Sequence, residues 1–325
     1  MITVPTTLVL GAGASKPYGF PSGYELRQLL CNPSNIRGLQ NFGGSDDAVT
    51  AFSEAFLKSG MPSIDTFLAR RGEHKVGRYG VTYAEVGKDA IAYCLIQRER
   101  PDLLHMASDD HWYQYLWSFM ADSLESFGAN KLRIITFNYD RSLEYYLLTA
   151  LQHTFGLTAQ EAAQHLQKIP ILHVYGQLAT LPELPKNGYE TRRYHSDVSN
   201  PAYITVAARG IRVIDERRND DEIFEEAYSY LRDAERICFL GFGFDPINVR
   251  RLQVDKLTQY IRSNGLETRI FATTVGLENA ERGLVINKLN TQKTVEYTHH
   301  SKVNIESYGN MKAEQYLRAT GVFIS

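Results

Sequence analysis

The chain reads as an α/β protein built on a parallel sheet whose faces are covered by helices. Three observations predict this. Short apolar runs alternate with longer segments of helical periodicity, the pattern of strand–helix–strand units. The runs end in glycines or polar residues, in "LVLGAG", "TFNYD", "HVYG" and "FLGFGFDP", as strands that open onto a pocket do. At 325 residues and 43% hydrophobic content the chain can bury a sizeable core.

The elements follow in order. Residues 6–10 read as a buried strand and 22–31 as a short helix after a turn. "NFGGSD", 41–46, reads as a loop. From 48 to 128 the pattern is helical. There Trp112, Leu116, Phe119, Ser123 and Phe127 fall on one stripe, with Asp109 or Asp110 as N-cap, and the stripe reads as a core-packing face. Strands are predicted at 132–140, 169–176, 236–244 and 268–275. Leu143, Leu147, Ala150 and Leu151 mark a helix, and Thr158 with Glu161 forms a capping box. Residues 181–201 form a polar loop too long to be a mere connection. Residues 222–235 read as a helix, and Asp245-Pro246 as the N-cap and first residue of another. Helical patterns return at 277–289 and 310–319. The block 31–128 therefore reads as a helical insertion after the first strand of a Rossmann-like sheet.

A formal net charge of −2 argues against a dedicated nucleic-acid binder. Three well-separated cysteines, Cys31, Cys94 and Cys238, include no CxxC pair, so a cysteine zinc site and a metal cofactor are not expected. A reducing cytoplasm fits best. The N-terminal apolar run breaks at Gly11, unlike a signal peptide, and no run reaches the roughly 18 residues of a membrane span.

The stretch "GAGASKPYGFPSG", 11–23, raises the first question of chemistry. Gly11 and Gly13 begin a dinucleotide fingerprint, but position 16 is lysine and no acidic residue closes a second strand about 20 residues on. The Walker pattern fails because Pro17 follows Lys16. A structural tight turn and a phosphate cradle both remain open. The other strand ends add company. Thr136, Asn138 and Asp140 alternate onto one face, as do His173 and Tyr175, and Gly241 and Gly243 end a strand. Each has a plain structural reading as well: a turn asparagine, a satisfied core histidine, a close-packing glycine pair.

In this order the motifs "GAGAS…YGFPSG", "TFNYD", "HVYG" and "FLGFGFDP" resemble the sirtuin-like domains of bacterial anti-phage systems, over roughly 1–30 and 130–290. The resemblance implies one NAD-binding domain over 1–325. It implies a pyrophosphate on the backbone of Gly11, Ala12, Gly13, Ala14 and Ser15, and Phe20 and Pro21 over the nicotinamide ribose. Asn138 and Asp140 then line the nicotinamide side, and Gly241, Gly243 and Phe244 face the adenosine half. Deacylating sirtuins carry a four-cysteine zinc module, which this chain lacks. The expected activity is therefore NAD+ hydrolysis to nicotinamide and ADP-ribose, with Asn138 placing water and His173 as general base. In sirtuins the histidine directly precedes glycine, whereas here Tyr175 holds that place. Either His173 substitutes, or Tyr175 shapes the pocket and catalysis rests on Asn138 and Asp140. Control by self-assembly or by a defence-operon protein (a HerA-type ATPase, a short Argonaute or a nucleotide-processing enzyme) is expected, because an unchecked hydrolase kills its host. The alternatives are an NAD- or ADP-ribose-sensing subunit and, third, a protein deacylase.

Overall fold

The computed structural model describes residues 1–42, 46–106, 109–214, 222–289 and 311–324. Five strands form one all-parallel sheet: β1 (Thr6–Leu10), β2 (Leu132–Thr136), β3 (Ile171–His173), β4 (Arg236–Leu240) and β5 (Arg269–Ala272). Their spatial order is β3-β2-β1-β4-β5. β1 is central and all five of its residues are buried. Leu8 pairs with Ile134 of β2 on one side and Cys238 of β4 on the other. A parallel sheet covered on both faces has no solvent side, which is why the apolar runs are nearly continuous.

The helices are α1 (Ala12–Ser15), α2 (Gly23–Leu30), α3 (Asp46–Lys58), α4 (Ile64–Arg71), α5 (Tyr83–Ile96), α6 (Pro101–His105), α7 (Trp112–Met120), α8 (Leu124–Phe127), α9 (Ser142–Phe155), α10 (Ala159–Leu166), α11 (Pro201–Arg209), α12 (Glu222–Arg232), α13 (Pro246–Arg251), α14 (Val254–Ser263), α15 (Asn279–Leu289) and α16 (Ala313–Thr320). Many start where the sequence places a cap. Ser22–Glu25, Thr82–Glu85 and Thr158–Glu161 form complete capping boxes, and Asp245 accepts from the amides of Ile247 and Asn248 ahead of Pro246. Among the described residues no helix is long and apolar enough to cross a membrane.

The structure corrects several boundaries. Part of the loop expected at 41–46 lies outside the described residues, and a 3-10 run, Pro33–Phe42, leads up to it. Residue 310, expected to begin the last helix, also lies outside them. The single stripe over 109–128 is two helices, with Ser123 capping α8 rather than lying on the face. Neither Asp109 nor Asp110 caps α7: His111 does, its Nδ1 accepting from the Gln114 amide at 3.2 Å. Asp110 instead accepts from the Glu314 amide at 2.7 Å, and Glu314 accepts from the His111 amide at 2.7 Å, locking α16 to α7. The strands also stop earlier than expected. β2 ends at Thr136, after which the Asn138 amide turns back to the Thr136 hydroxyl at 3.1 Å. β3 ends at His173, where the Gly176 amide folds back to its carbonyl.

Buried side chains form one connected cluster. It joins Phe52, Phe56 and Phe67 of the insertion to Leu8, Ile134 and Phe239 of the sheet. The insertion also grips the turn after β1. The fully buried Trp112 donates its indole N–H to the Ala14 carbonyl at 2.7 Å, and Tyr113 stacks on Tyr18 with centroids 3.7 Å apart.

Candidate functional site

The chain leaves β1 for β2 and β3 on one side, then crosses to β4 and β5 on the other. The strand order thus reverses between β1 and β4, and the loops there diverge. In open α/β sheets this reversal, at the carboxyl ends of the strands, is where ligands bind. A cleft of about 1020 Å³ opens there, at the upper end of the roughly 300–1,000 Å³ of ligand pockets. Its walls include Gly11–Gly13 after β1, Asn138 after β2, Tyr175 after β3, Gly241–Gly243 after β4 and Thr273 after β5.

The glycines have a structural task first. The two turns meet backbone to backbone: a Cβ on Gly11 would lie 2.5 Å from the Gly241 carbonyl oxygen, and one on Gly13 2.7 Å from the Gly241 Cα. Gly241 adopts φ +57°, and its own Cβ would fall 2.1 Å from the Ala14 nitrogen. The space that a Gly13 Cβ would need is filled by Gly241, so the packing of the two turns alone requires a glycine there. Three amides of the turn also have partners within the protein, Gly11 at the Leu240 carbonyl, Gly13 at that of Gly241 and Ala14 at that of Gly11. Ala12 lines the cleft; Ala14 and Ser15 are buried behind it. Gly243 faces open space.

Asn138 is fixed in the cleft wall. Its side-chain N–H groups reach the Gly11 carbonyl and the Ser15 hydroxyl, each at 3.0 Å. Asp140 lies behind, accepting from the Ser142 amide at 3.1 Å and from its hydroxyl. Burial raises the Asp140 carboxyl above its usual range, against the pull of the Ser142 and Ser15 hydroxyls. Asp140 thus braces the turn and is not among the residues that line the cleft.

His173 and Tyr175 do not share a face, because the strand ends between them. His173 is 5% exposed and outside the cleft lining. Its Nδ1 lies 2.9 Å from the Asn138 carbonyl oxygen and its Nε2 2.5 Å from Glu144. Burial raises the Glu144 carboxyl, but His173 outweighs it and leaves Glu144 below the usual range. Both ring nitrogens are thus occupied within the protein. Tyr175 faces the cleft, donating to Asn248 Oδ1 at 2.6 Å and accepting from Arg251 at 2.5 Å.

Phe20, Pro21 and Phe244 are also outside the lining. Phe20 is in the core, and Phe244 packs on Phe239 and Phe242. The cleft wall next to that loop is Ser22, Gly23 and the exposed Tyr24, with Lys16 and Pro17.

The sequence reading missed Asp65, Ser63, Asp245, Asn248 and Lys312, all of which line the cleft. Asp65 comes from the first turn of α4, inside the insertion, and accepts from the Tyr139 hydroxyl. Asp245 and Asn248 were within reach as a cap and the helix turn it opens; nothing in the sequence ties Asp65 to the sheet.

Comparison of the chain with protein-family models and with curated proteins finds no match.

Proposed function

We propose that the protein is an NAD+ hydrolase that releases nicotinamide and ADP-ribose, acting in the cytoplasm as an anti-phage effector. The observation that carries the reading is the cleft at the reversal between β1 and β4, with a pinned asparagine in its wall. Its size and place suit a dinucleotide. The motif order of the sirtuin-like domains supplies the reaction class. Breaking the C–N bond from ribose to nicotinamide passes through an oxocarbenium-like state, in which charge moves from the ring to the sugar. Fixed dipoles and carboxylates around the cleft favour that state without reorganising. Among them, Asn138, held from two sides, positions the ribose or water.

A defence-operon partner or assembly of copies holds such an activity in check. A binding-only reading as an NAD- or ADP-ribose-sensing subunit has one observation in its favour: His173, expected as the base, is sequestered with Glu144. Turnover separates the two. Chromatography of NAD+ incubated with the protein, alone and with its operon neighbours, is expected to show nicotinamide and ADP-ribose without any acylated peptide. Nicotinamide only upon addition of an acetyl-lysine peptide would instead identify a deacylase.

A further inference from the structure

We infer that Asp65, supplied by the helical insertion, is the carboxylate that accepts the proton of the attacking water. The inference rests on the hydrolase reading and gives its reaction a base from outside the sheet. Four other candidates in and around the cleft are committed elsewhere, and Asp109, which also lines it, lies at the α7 end of the cleft and does not share the recess of Asp65 with Tyr175, Asn248 and Arg251. His173 is held between Glu144 and the Asn138 carbonyl. Asp140 is bound by Ser142 behind the turn. Asp245 caps α13 through two amides. Asp110 binds the first turn of α16.

Asp65 differs from all of these. Ser63 caps α4, its hydroxyl accepting from the Thr66 amide at 3.2 Å, so the helix is capped without the Asp65 side chain. Asp65 lines the cleft and also the narrow polar recess beyond it, with Tyr175, Asn248 and Arg251. Its bond from Tyr139 sets its place relative to the cleft asparagine, because Tyr139 follows Asn138 directly. The guanidinium of the same recess, Arg251, is directed at the Tyr175 hydroxyl and, at 3.0 Å, the Ile214 carbonyl. Burial raises the Asp65 carboxyl above its usual range; Tyr139 and the more distant Arg251 oppose this and Asp245 adds to it. A carboxylate raised in this way is a stronger base near neutral pH than an exposed one.

The step balances. Water oxygen bonds to C1′ of the nicotinamide ribose as the C1′–N bond breaks. The electron pair of that bond neutralises the ring nitrogen, so nicotinamide leaves uncharged. The proton lost by water passes to Asp65 and then to solvent.

The groups facing Asp65 are Tyr139 after β2, Tyr175 after β3, and Asp245 and Arg251 at the two ends of α13. The base is lost as pH falls through the raised value, so the rate drops on the acid side at a pH above that of an ordinary aspartate, about 3.9. The test is the pH dependence of nicotinamide release by wild type, Asp65→Asn and Tyr139→Phe, under conditions that activate the wild type. Asp65→Asn is expected to lower kcat by about 10²–10⁴-fold with KM little changed, and to abolish the acid limb. Tyr139→Phe removes the bond that favours the charged carboxylate, so its limb moves to higher pH. That shift is also the deciding readout if Asp65→Asn fails to fold. Wild-type rate and acid limb in Asp65→Asn, or an unmoved limb in Tyr139→Phe, overturns the inference alone. A wild type that releases no nicotinamide under any condition overturns the hydrolase reading and this inference with it.

Discussion

At the scale of single residues, the contacts around the turns change what a substitution reports. Gly13→Val places atoms where the Gly241 backbone lies. It is expected to cost about 1–3 kcal/mol or more of stability, as overpacking does. Gly241→Ala is expected to do the same, with an added penalty for φ +57°. Urea denaturation is the check; an unchanged midpoint for Gly13→Val would return that glycine to a ligand role. His173→Ala removes the partner of a buried carboxylate. It is expected to cost roughly 1–3 kcal/mol, more if the pair is charged, and Glu144→Ala the same. The double variant should lose much less than the sum, because each single change already breaks the same contact. Additive losses in the cycle would dissolve the pair.

At the scale of elements, the long polar loop of 181–201 is ordered by charge. Arg192 and Arg141 both bind Glu99 at 2.7 Å, and all three are almost fully buried. The His195 amide adds a bond to the same carboxylate. Arg192→Met leaves Glu99 underpaired, and such losses typically cost about 3–5 kcal/mol. Faster proteolysis within residues 181–201 is the expected sign, and unchanged cleavage would show the loop to be held otherwise. Ser22→Ala breaks a capping box next to the cleft and is expected to cost about 1 kcal/mol. Two helix starts were read from the sequence because a cap is a local bond: Thr158 with Glu161, and Asp245 ahead of Pro246, act within four residues. Strand order was not written locally, and strand ends were overestimated. The alternation of "TFNYD" continues past the point where β1, its neighbour, stops at Leu10. The same overrun put His173 and Tyr175 on one face, and Asp140 into the cleft. Asn138, Tyr175 and the glycines were found because they sit beside strand ends. Asp65 was hidden, since an acidic residue in a first helical turn is commonplace in sequence.

At the scale of the whole molecule, two buried carboxylates tie stability to pH. Glu99 and Glu144 are both held below their usual range: burial pushes each up, and Arg141 with Arg192, or His173, outweighs it. A depressed folded value means that the stabilisation is present above the unfolded value, about 4.3, and is lost as pH falls through the folded one. Melting temperature is therefore expected to hold from neutral pH to about 5 and to fall below about 4. Glu99→Gln should flatten that fall while lowering the plateau. An equally steep acid loss in this variant would place the lability in other groups.

The meeting of the first and fourth strands has one more consequence, in the order of synthesis. The central strand, residues 6–10, is made well before its partners, residues 132–136 and 236–240, and before Gly241, the turn that closes the cleft against Gly11 and Gly13. Until β4 and Gly241 have left the ribosome, β1 has one neighbour at most and the cleft has no second wall. A nascent or prematurely ended chain thus carries every residue of the glycine turn without the second wall of the cleft. If the molecule consumes a metabolite its own cell requires, the topology itself keeps unfinished copies harmless. Chains stopped before residue 236 should then gain no protection from proteolysis in NAD+, under conditions where the full chain does.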